Sequence, residues 1–172
     1  MAPKKNKINL EIERRFLLKN VPSFGKKREF EIYDIFQFYF EVKGKRTRFR
    51  QSTKKAGYSY SPTDKVTYLS TKKKFISKGT YEEIEVEISE KTFWKKYRET
   101  KNRRSISKTR FVYNYKGLKF EIDKFTEMHL VVMEIELKNI NQKINFPDFI
   151  KKEIILEVTD LRELGNYNLS GK

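Results

Sequence analysis

Several residue types with well-known chemistry are absent or nearly absent from this chain of 172 residues. It contains no cysteine, which excludes disulfide bonds, thiolate metal sites and a cysteine nucleophile. Its single histidine, His129, excludes zinc sites that need several imidazole ligands. No apolar run reaches the roughly 18 residues that a membrane-spanning helix needs. We therefore expect no membrane partner.

The N-terminal residues 1–7 are basic, and the apolar segment of a secretory signal does not follow them. We expect these residues to form a flexible tail in front of one domain at residues 8–172. No linker or internal repeat divides that stretch. The absence of cysteine and of a signal is typical of an intracellular, cytoplasmic protein.

Positive charge is what the chain has in excess: 39 Lys and Arg stand against 23 Asp and Glu, a formal net charge of +16. Such a balance attracts anions such as nucleic acid or phosphate compounds. Part of the excess has a simpler explanation, because the chain is also rich in Asn, Ile, Phe and Tyr, as an AT-rich genome would encode. The charge therefore indicates an anionic partner without identifying it.

Alternation of apolar and polar residues with a period of two predicts β-strands along most of the chain. Seven segments alternate in this way, and two more, 33–42 and 66–72, are rich in aromatic and β-branched residues. Turns are predicted at Lys43-Gly44-Lys45 and Tyr115-Lys116-Gly117, and a loop at 52–64. The pattern favours a mainly β fold, and closure of the sheet into a barrel would remove its edge strands.

One main helix is predicted after Ser89, which suits the N-cap position. Phe93, Trp94 and Tyr97 form an apolar stripe at helical spacing through about Lys101. Short helical turns are predicted near 147–150 and 160–164. The helices are therefore minor elements beside the predicted sheet.

The polar faces of the strands carry charges at positions i and i+2, which share one face of a strand. Paired carboxylates suit Mg²⁺ or Mn²⁺, which prefer oxygen ligands, and Arg and Lys suit phosphate oxygens. If both the carboxylate pairs and the basic pairs face the interior, they would suit the attack of a metal-activated water on a phosphoanhydride. The same alternation also arises on the solvated face of an open sheet, so both interpretations stay open here. The pairs are Glu11 and Glu13, Arg48 and Arg50, Glu83 and Glu85, Lys108 and Arg110, Glu121 and Asp123, and Glu134 and Glu136.

These segments resemble, in the same order, motifs of the CYTH domain of the triphosphate tunnel metalloenzymes. The stretch EIERRFLL at 11–18 resembles the E-x-E-x-K-F-L signature that opens that domain. Further segments that resemble family motifs are Gln37-Phe38-Tyr39 (Q-x-Y), Arg48-Phe49-Arg50 (R-x-R), 68–72, 81–88 (E-x-E-x-E), 108–111 (K-T-R-Y), 120–125 (W-E-[IV]-D-x-F), 132–137 (A-E-[IV]-E-L) and Glu157-Val158-Thr159. Each motif alone is weak, but their shared order over roughly residues 8–169 is specific.

The resemblance implies a closed eight-stranded antiparallel β-barrel with a few flanking helices, which binds a triphosphate together with Mg²⁺ or Mn²⁺. Its metal positions correspond to Glu11, Glu13, Glu134, Glu136 and Glu157. Its phosphate positions correspond to Arg15, Arg48, Arg50, Lys72, Lys108 and Arg110, and strand parity favours Lys72 or Lys74 over Lys73. Glu83, Glu85, Glu121 and Asp123 would complete the acidic lining. The implied catalytic group is Glu11, Glu13, Arg15, Lys108 and Arg110.

Position 15 departs from the family, which usually has lysine there. Arg15 keeps the charge, but it is bulkier and cannot lose a proton to act as a base. If the lysine of the relatives tunes the attacking water or the leaving phosphate, this chain would be slower or would prefer another substrate.

The resemblance implies hydrolysis of a triphosphate, with inorganic tripolyphosphate as the first expectation. Alternatives in the same fold are a nucleoside or thiamine triphosphatase, a class IV-type adenylate cyclase and an RNA 5′-triphosphatase. A non-catalytic phosphate- or nucleic-acid-binding module belongs to a different class. That module would not explain so many carboxylates, which repel a polyanion unless a metal bridges them. The expected partner is a triphosphate-containing small molecule or an RNA 5′-triphosphate end, bound by a monomer or a homodimer.

Overall fold

The computed structural model describes residues 9–25, 29–42, 45–57 and 61–170. The strands are β1 (Asn9–Leu18), β2 (Glu31–Val42), β3 (Lys45–Lys54), β4 (Lys65–Ser77), β5 (Thr80–Glu87), β6 (Arg104–Tyr115), β7 (Leu118–Phe125), β8 (Val131–Glu136) and β9 (Ile154–Glu157). The helices are α1 (Glu90–Glu99), α2 (Asp148–Lys151) and α3 (Asn166–Leu169), with a 3₁₀ turn at Arg162–Leu164. The predicted tail at 1–7 and the predicted turn residues Lys43 and Gly44 lie outside the described residues.

The strands form one antiparallel sheet in the order β5-β4-β3-β2-β6-β7-β8-β1-β9, and a further pairing of β5 with β1 closes it. Eight strands therefore make a closed barrel, and β9 extends the sheet beyond β1. The predicted closed eight-stranded antiparallel barrel is confirmed. β1 is its seam, since β5 pairs with residues 9–12 of β1 while β8 pairs with residues 13–18.

The main helix forms where the sequence predicts it. Ser89 is its N-cap, with a side chain that accepts a hydrogen bond from the backbone N–H of Thr92 at 3.2 Å. Phe93 is fully buried against Phe38 and Phe49 on the outer side of β2 and β3. The helix ends at Glu99, slightly before the predicted end. None of the helices in the described ranges is long and apolar enough to cross a lipid bilayer.

The largest apolar cluster lies outside the barrel wall. Phe16, Ile122 and Met133 belong to it, and each is next in sequence to a charged residue that faces the opposite side of its strand. Side chains that flank the strands, including Phe24 and Ile150, cover this outer surface. Burial of such a side chain contributes about 1.5–3 kcal/mol. The fold is therefore stabilised largely from outside, and much of the interior is left to polar groups.

The hairpin between β4 and β5 contains a register shift between Phe75 and Ser77. Such a bulge reverses which side chains face inward on one side of it. Gly79 occupies the turn with a φ of +61°, and its carbonyl accepts a hydrogen bond from the backbone N–H of Glu13 at 2.7 Å. An added Cβ at Gly79 would lie 2.5 Å from the Glu13 carbonyl oxygen. Glycine therefore lets the hairpin turn pack closely against β1.

Candidate functional site

The barrel encloses a cavity of about 1290 Å³ with many charged side chains in its lining. The predicted site residues in that lining are Glu11, Glu13, Arg15, Arg48, Arg50, Lys72, Glu83, Glu85, Arg110, Glu121, Glu134 and Glu136. Lys108, Asp123 and Glu157 are not among the lining residues. The alternating charges of most strands thus belong to an enclosed interior rather than to the solvated face of an open sheet.

One wall of the cavity, formed by β1 and β5, is acidic, and a lysine of β4 stands in the middle of it. The Nζ atom of Lys73 lies 2.8 Å from Glu11 Oε2 and 3.2 Å from Glu13 Oε2. Glu83 Oε2 is also near, at 3.9 Å. We call Glu11, Glu13 and Glu83 the acidic wall. The single ammonium group of Lys73 neutralises it only in part.

The protonation of the acidic wall reflects this incomplete compensation. Burial and the charge of Glu134 raise the pKa of Glu13. Burial raises the pKa of Glu83 to about 7, although Arg48 opposes the shift. Burial would also raise the pKa of Glu11, but Lys73, Glu83 and Arg48 together outweigh it and the net shift is downward. Glu83 Oε2 is buried without a hydrogen-bond partner in the described part of the chain.

The wall formed by β3 is basic. Arg48 Nη2 lies 3.6 Å from Glu83 Oε1 and 3.4 Å from Glu85 Oε2, and it donates to Thr71 Oγ1 at 3.2 Å. Arg50 has no ion pair within 4 Å among the residues that the structure describes. Burial, together with the charges of Arg48 and Arg110, lowers the pKa of Arg50 to about 10. We call Arg48 and Arg50 the basic wall.

The basic wall has the features of an anion-binding site. The Nε atoms of Arg48 and Arg50 are both buried, and neither has a hydrogen-bond partner within the described ranges. Most buried polar groups in proteins are hydrogen-bonded, because an unmet donor costs about 1–3 kcal/mol. A phosphate group, with several acceptor oxygens and negative charge, would satisfy both guanidinium groups.

β6 and β7 carry a buried network of ion pairs beside the cavity. Arg110 donates to both carboxylate oxygens of Asp123, at 2.6 and 2.7 Å, and to Glu134 Oε2 at 3.0 Å. It also pairs with Glu121. Although burial opposes it, Arg110 with Lys108 holds the pKa of Asp123 well below its usual range. The network fixes Arg110 and Glu134 at the edge of the cavity.

The sequence predicts that Lys108 binds phosphate, but the structure does not bring it to the cavity. Its side chain is fully buried, and its Nζ atom donates to Asp123 Oδ2 at 2.5 Å and to Asn166 Oδ1 at 3.0 Å. Burial lowers the pKa of Lys108 to about 8. The ammonium group of Lys108 is therefore bound within the network, and through Asn166 it also contacts the C-terminal segment.

Arg15 lines the cavity, but backbone carbonyl groups already occupy its guanidinium. Its Nη1 atom donates to Leu164 O at 3.2 Å, and its Nη2 atom donates to Thr159 O at 3.2 Å and to Leu161 O at 3.1 Å. A longer contact of 3.4 Å joins Nη2 to Val158 O. Arg15 is only 5% exposed. Its role in this structure is to anchor residues 158–164.

The anchored C-terminal segment forms part of the cavity lining through Gly165, Asn166, Tyr167 and Asn168. Arg104 also holds this segment, because its Nη2 atom donates to Ser170 O at 3.1 Å. The Arg46 guanidinium lies over the Tyr167 ring, 3.1 Å from its centroid. The end of the chain is therefore fastened across the barrel at several points.

Two further predicted residues form no ion pair with the acidic or the basic wall among the described residues, although Lys72 lines the cavity. Glu157 pairs instead with Arg14, with Arg14 Nε at 2.9 Å and Nη2 at 2.5 Å from its two oxygens. The reason is register, because Glu157 stands opposite Phe16, whose side chain faces outward. Lys72 is exposed and stands opposite Thr47 and Ile84 in the sheet rather than opposite a site carboxylate.

The prediction that parity places Lys72 or Lys74 inward rather than Lys73 is wrong. Lys73 stands opposite Glu83, and Thr71 stands opposite Glu85, so both share the inward face. A regular hairpin across Gly79 would put Lys72 and Lys74 there, but the bulge between Phe75 and Ser77 shifts the register by one residue. No residue type near Phe75 indicates this bulge. Asn166, which accepts a hydrogen bond from Lys108, is not among the predicted site residues, and the asparagines at 166 and 168 are the one sign of this segment in the sequence.

Comparison with protein-family models and with curated proteins finds no match. Among solved structures, the PH1819 protein of Pyrococcus horikoshii OT3 is similar, with 20% identity over 83% of this chain and 82% of that chain and a TM-score of 0.53. The PH1012 protein of the same organism gives 18% identity, 83% and 84% coverage, and a TM-score of 0.49. A candidate adenylate cyclase from Bacillus halodurans gives 13% identity, 84% and 97% coverage, and a TM-score of 0.46. The first likeness supports the barrel fold and nothing beyond it.

Proposed function

We propose that this chain is a tunnel enzyme of the CYTH type that hydrolyses a linear triphosphate with the help of Mg²⁺ or Mn²⁺. The observation that carries the proposal is the pairing of two walls across one cavity. Arg50 is a cation without an ion pair among the described residues, and it faces the same space as an acidic wall that Lys73 neutralises only in part. A polyanion and a metal cation together would satisfy both walls.

The basic wall supports the phosphate half of the proposal. Two guanidinium groups two residues apart on β3 present donors to one region of the cavity, and Arg48 and Arg50 repel each other until an anion lies between them. Their existing contacts are few, so an entering phosphate would displace only the long pairs of Arg48 with Glu83 and Glu85 and its hydrogen bond to Thr71. These residues would bind the phosphates and orient them.

The acidic wall supports the metal half by its donor chemistry. Carboxylate oxygens are the ligands that Mg²⁺ and Mn²⁺ prefer. Burial and the charge of Glu134 raise the pKa of Glu13, and a bound cation would favour its charged form. In the described parts of the chain, no three carboxylates are already arranged around one point as metal ligands. Glu11, Glu13 and Glu134 would hold the ion once Lys73 yields its position. The ion would neutralise phosphate charge and make a bound water more acidic.

The buried network gives the site its rigidity. Asp123 fixes Arg110 through two short hydrogen bonds, and Arg110 in turn holds Glu134. A fixed carboxylate loses little freedom when it binds a metal, and a fixed cation loses little when it meets a phosphate. The network would therefore orient the reacting groups.

A phosphate-release assay with a matched variant tests the proposal. Purified protein is incubated with tripolyphosphate, ATP, thiamine triphosphate or 5′-triphosphorylated RNA, in Mg²⁺, Mn²⁺ or chelator. We expect chelator-sensitive phosphate release from tripolyphosphate. The double variant Glu11→Gln, Glu13→Gln should abolish that release without loss of the fold. The control Glu90→Gln, Glu99→Gln removes the same charge from α1 and should leave the rate unchanged.

Each outcome has a distinct meaning. Full activity of the Glu11→Gln, Glu13→Gln variant would refute the metal assignment. Cyclic nucleotide and pyrophosphate from ATP would replace hydrolysis with cyclisation in the same cavity. No turnover and no tripolyphosphate binding by the unaltered protein would overturn the proposal as a whole.

A further inference from the structure

Lys73 occupies the region in which the proposed function would put a metal ion. Its ammonium lies within hydrogen-bonding distance of one oxygen each of Glu11 and Glu13. A second and independent sign of an incomplete site is Glu83, which is only 6% exposed and whose Oε2 has no hydrogen-bond partner within the described ranges. That oxygen is directed toward the same ammonium, 3.9 Å away. One cation therefore stands among three carboxylates.

We propose that Lys73 is an exchangeable counter-ion, which neutralises the acidic wall while the metal is absent and leaves it for the phosphate when the metal enters. The inference rests on the proposed function and adds to it a competition for the same carboxylates. Metal binding and phosphate binding then favour each other. Each ligand must break the ion pairs of Lys73 with Glu11 and Glu13, and once one ligand has broken them the other binds without that cost. By linkage, the coupling has the same size in both directions.

The geometry around Lys73 permits this exchange. Its side chain is 29% exposed, so it can turn within the cavity without disturbing an apolar cluster. Lysine is a compact charge on a flexible stem, unlike the planar fork of arginine. β4 places Lys73 on the same face as Thr71, which accepts a hydrogen bond from Arg48. A short movement along the strand would bring the ammonium toward the basic wall.

The ion pairs of Arg48, on the other side of the exchange, are long. Charge-assisted hydrogen bonds typically measure about 2.7–2.9 Å. The Arg48 contacts with Glu83 and Glu85 are 3.6 and 3.4 Å. A phosphate that binds Arg48 would therefore replace two long ion pairs and the hydrogen bond to Thr71, and it would free Glu83 at the same time. Movement of Lys73 and of Arg48 together would release the acidic wall to a metal.

The variant Lys73→Met separates this proposal from a purely structural role. Binding of Mn²⁺ alone is followed by electron paramagnetic resonance of free Mn²⁺, and binding of tripolyphosphate alone by calorimetry in chelator. We expect Lys73→Met to bind Mn²⁺ more tightly and tripolyphosphate more weakly, each by about fivefold or more. A structural role would weaken both. Lys65→Met, an exposed lysine on the same strand, is the control and should change neither.

The two proposals fail in different ways. If the unaltered protein binds neither ligand, the proposed function fails. If it binds both and Lys73→Met binds Mn²⁺ no more tightly, the exchange is refuted while the proposed function stands. If Lys73→Met does not fold, Lys73→Gln, which keeps a polar group of similar length, takes its place. The proposal then requires that Lys73→Gln bind Mn²⁺ more tightly and tripolyphosphate more weakly than the unaltered protein.

Discussion

Arg15 offers the sharpest test of how the barrel is held together. Its guanidinium donates to carbonyl groups of residues 158, 159, 161 and 164 and is almost fully buried. Replacement by lysine keeps the charge but removes the planar fork. We expect Arg15→Lys to loosen the C-terminal segment selectively, because one ammonium group cannot reach carbonyls that are spread around two nitrogen atoms.

The size of the effect follows from the contacts. Their lengths of 3.1–3.4 Å are long for hydrogen bonds, so we assign about 1 kcal/mol to each. Lysine can retain about half of them, and the expected loss is therefore about 2 kcal/mol. Arg15→Met, which retains none, should lose about 4 kcal/mol. A change of 2 kcal/mol corresponds to about a 30-fold change in a local opening equilibrium.

Hydrogen exchange of the backbone amides measures this opening directly. The N–H groups of Leu164, Gly165 and Asn168 are hydrogen-bonded within the segment, so their protection should fall by about that factor in Arg15→Lys. The control is Arg14→Met, because Arg14 pairs with Glu157 in partly exposed surroundings and should contribute about 1 kcal/mol or less. Unchanged exchange in Arg15→Lys would refute the anchoring role.

Two further variants test other parts of the structure. Arg50→Met should raise the free energy of unfolding by about 1 kcal/mol, because it removes a buried cation that has no ion pair among the described residues. The same variant should weaken tripolyphosphate binding about tenfold or more. A lower free energy of unfolding in urea would contradict the first expectation. Gly79→Ala should cost about 2–4 kcal/mol, because the new Cβ meets the Glu13 carbonyl. Gly117→Ala has a similar φ but open space and should cost about 1 kcal/mol. Equal losses for the two glycines would show that the contact with β1 has no energetic weight.

The fold could be predicted largely because local patterns and global topology agree. Ile122 and Met133 alternate with charged residues, and each strand is long enough for the period to be read. Ser89 marks the start of α1 by its capping chemistry. The loop predicted at 52–64 begins too early, since β3 continues through Lys54. Pairing with β2 and β4 extends that strand beyond what composition alone indicates.

The site was less predictable because it depends on register and on where the chain end docks. The bulge in β4 turns Lys73 inward, and no residue type between Lys73 and Ser77 predicts a bulge. Glu157 has the right chemistry for a metal ligand, but its place opposite Phe16 directs it outward. Arg15 meets carbonyl groups of residues far away in sequence, which periodicity within β1 cannot reveal.

The position of β1 in the sheet also constrains how the protein can fold during its synthesis. β1 leaves the ribosome before the other described strands, but its partners are β5, β8 and β9, and β9 ends at Glu157. The hairpins within β2–β5 and β6–β8 join strands that are neighbours in sequence and can form early. β1 must therefore wait until the residues through Glu157 have been synthesised. Barrel closure is therefore a late event, and until then the nascent protein carries open strand edges that a chaperone could shield.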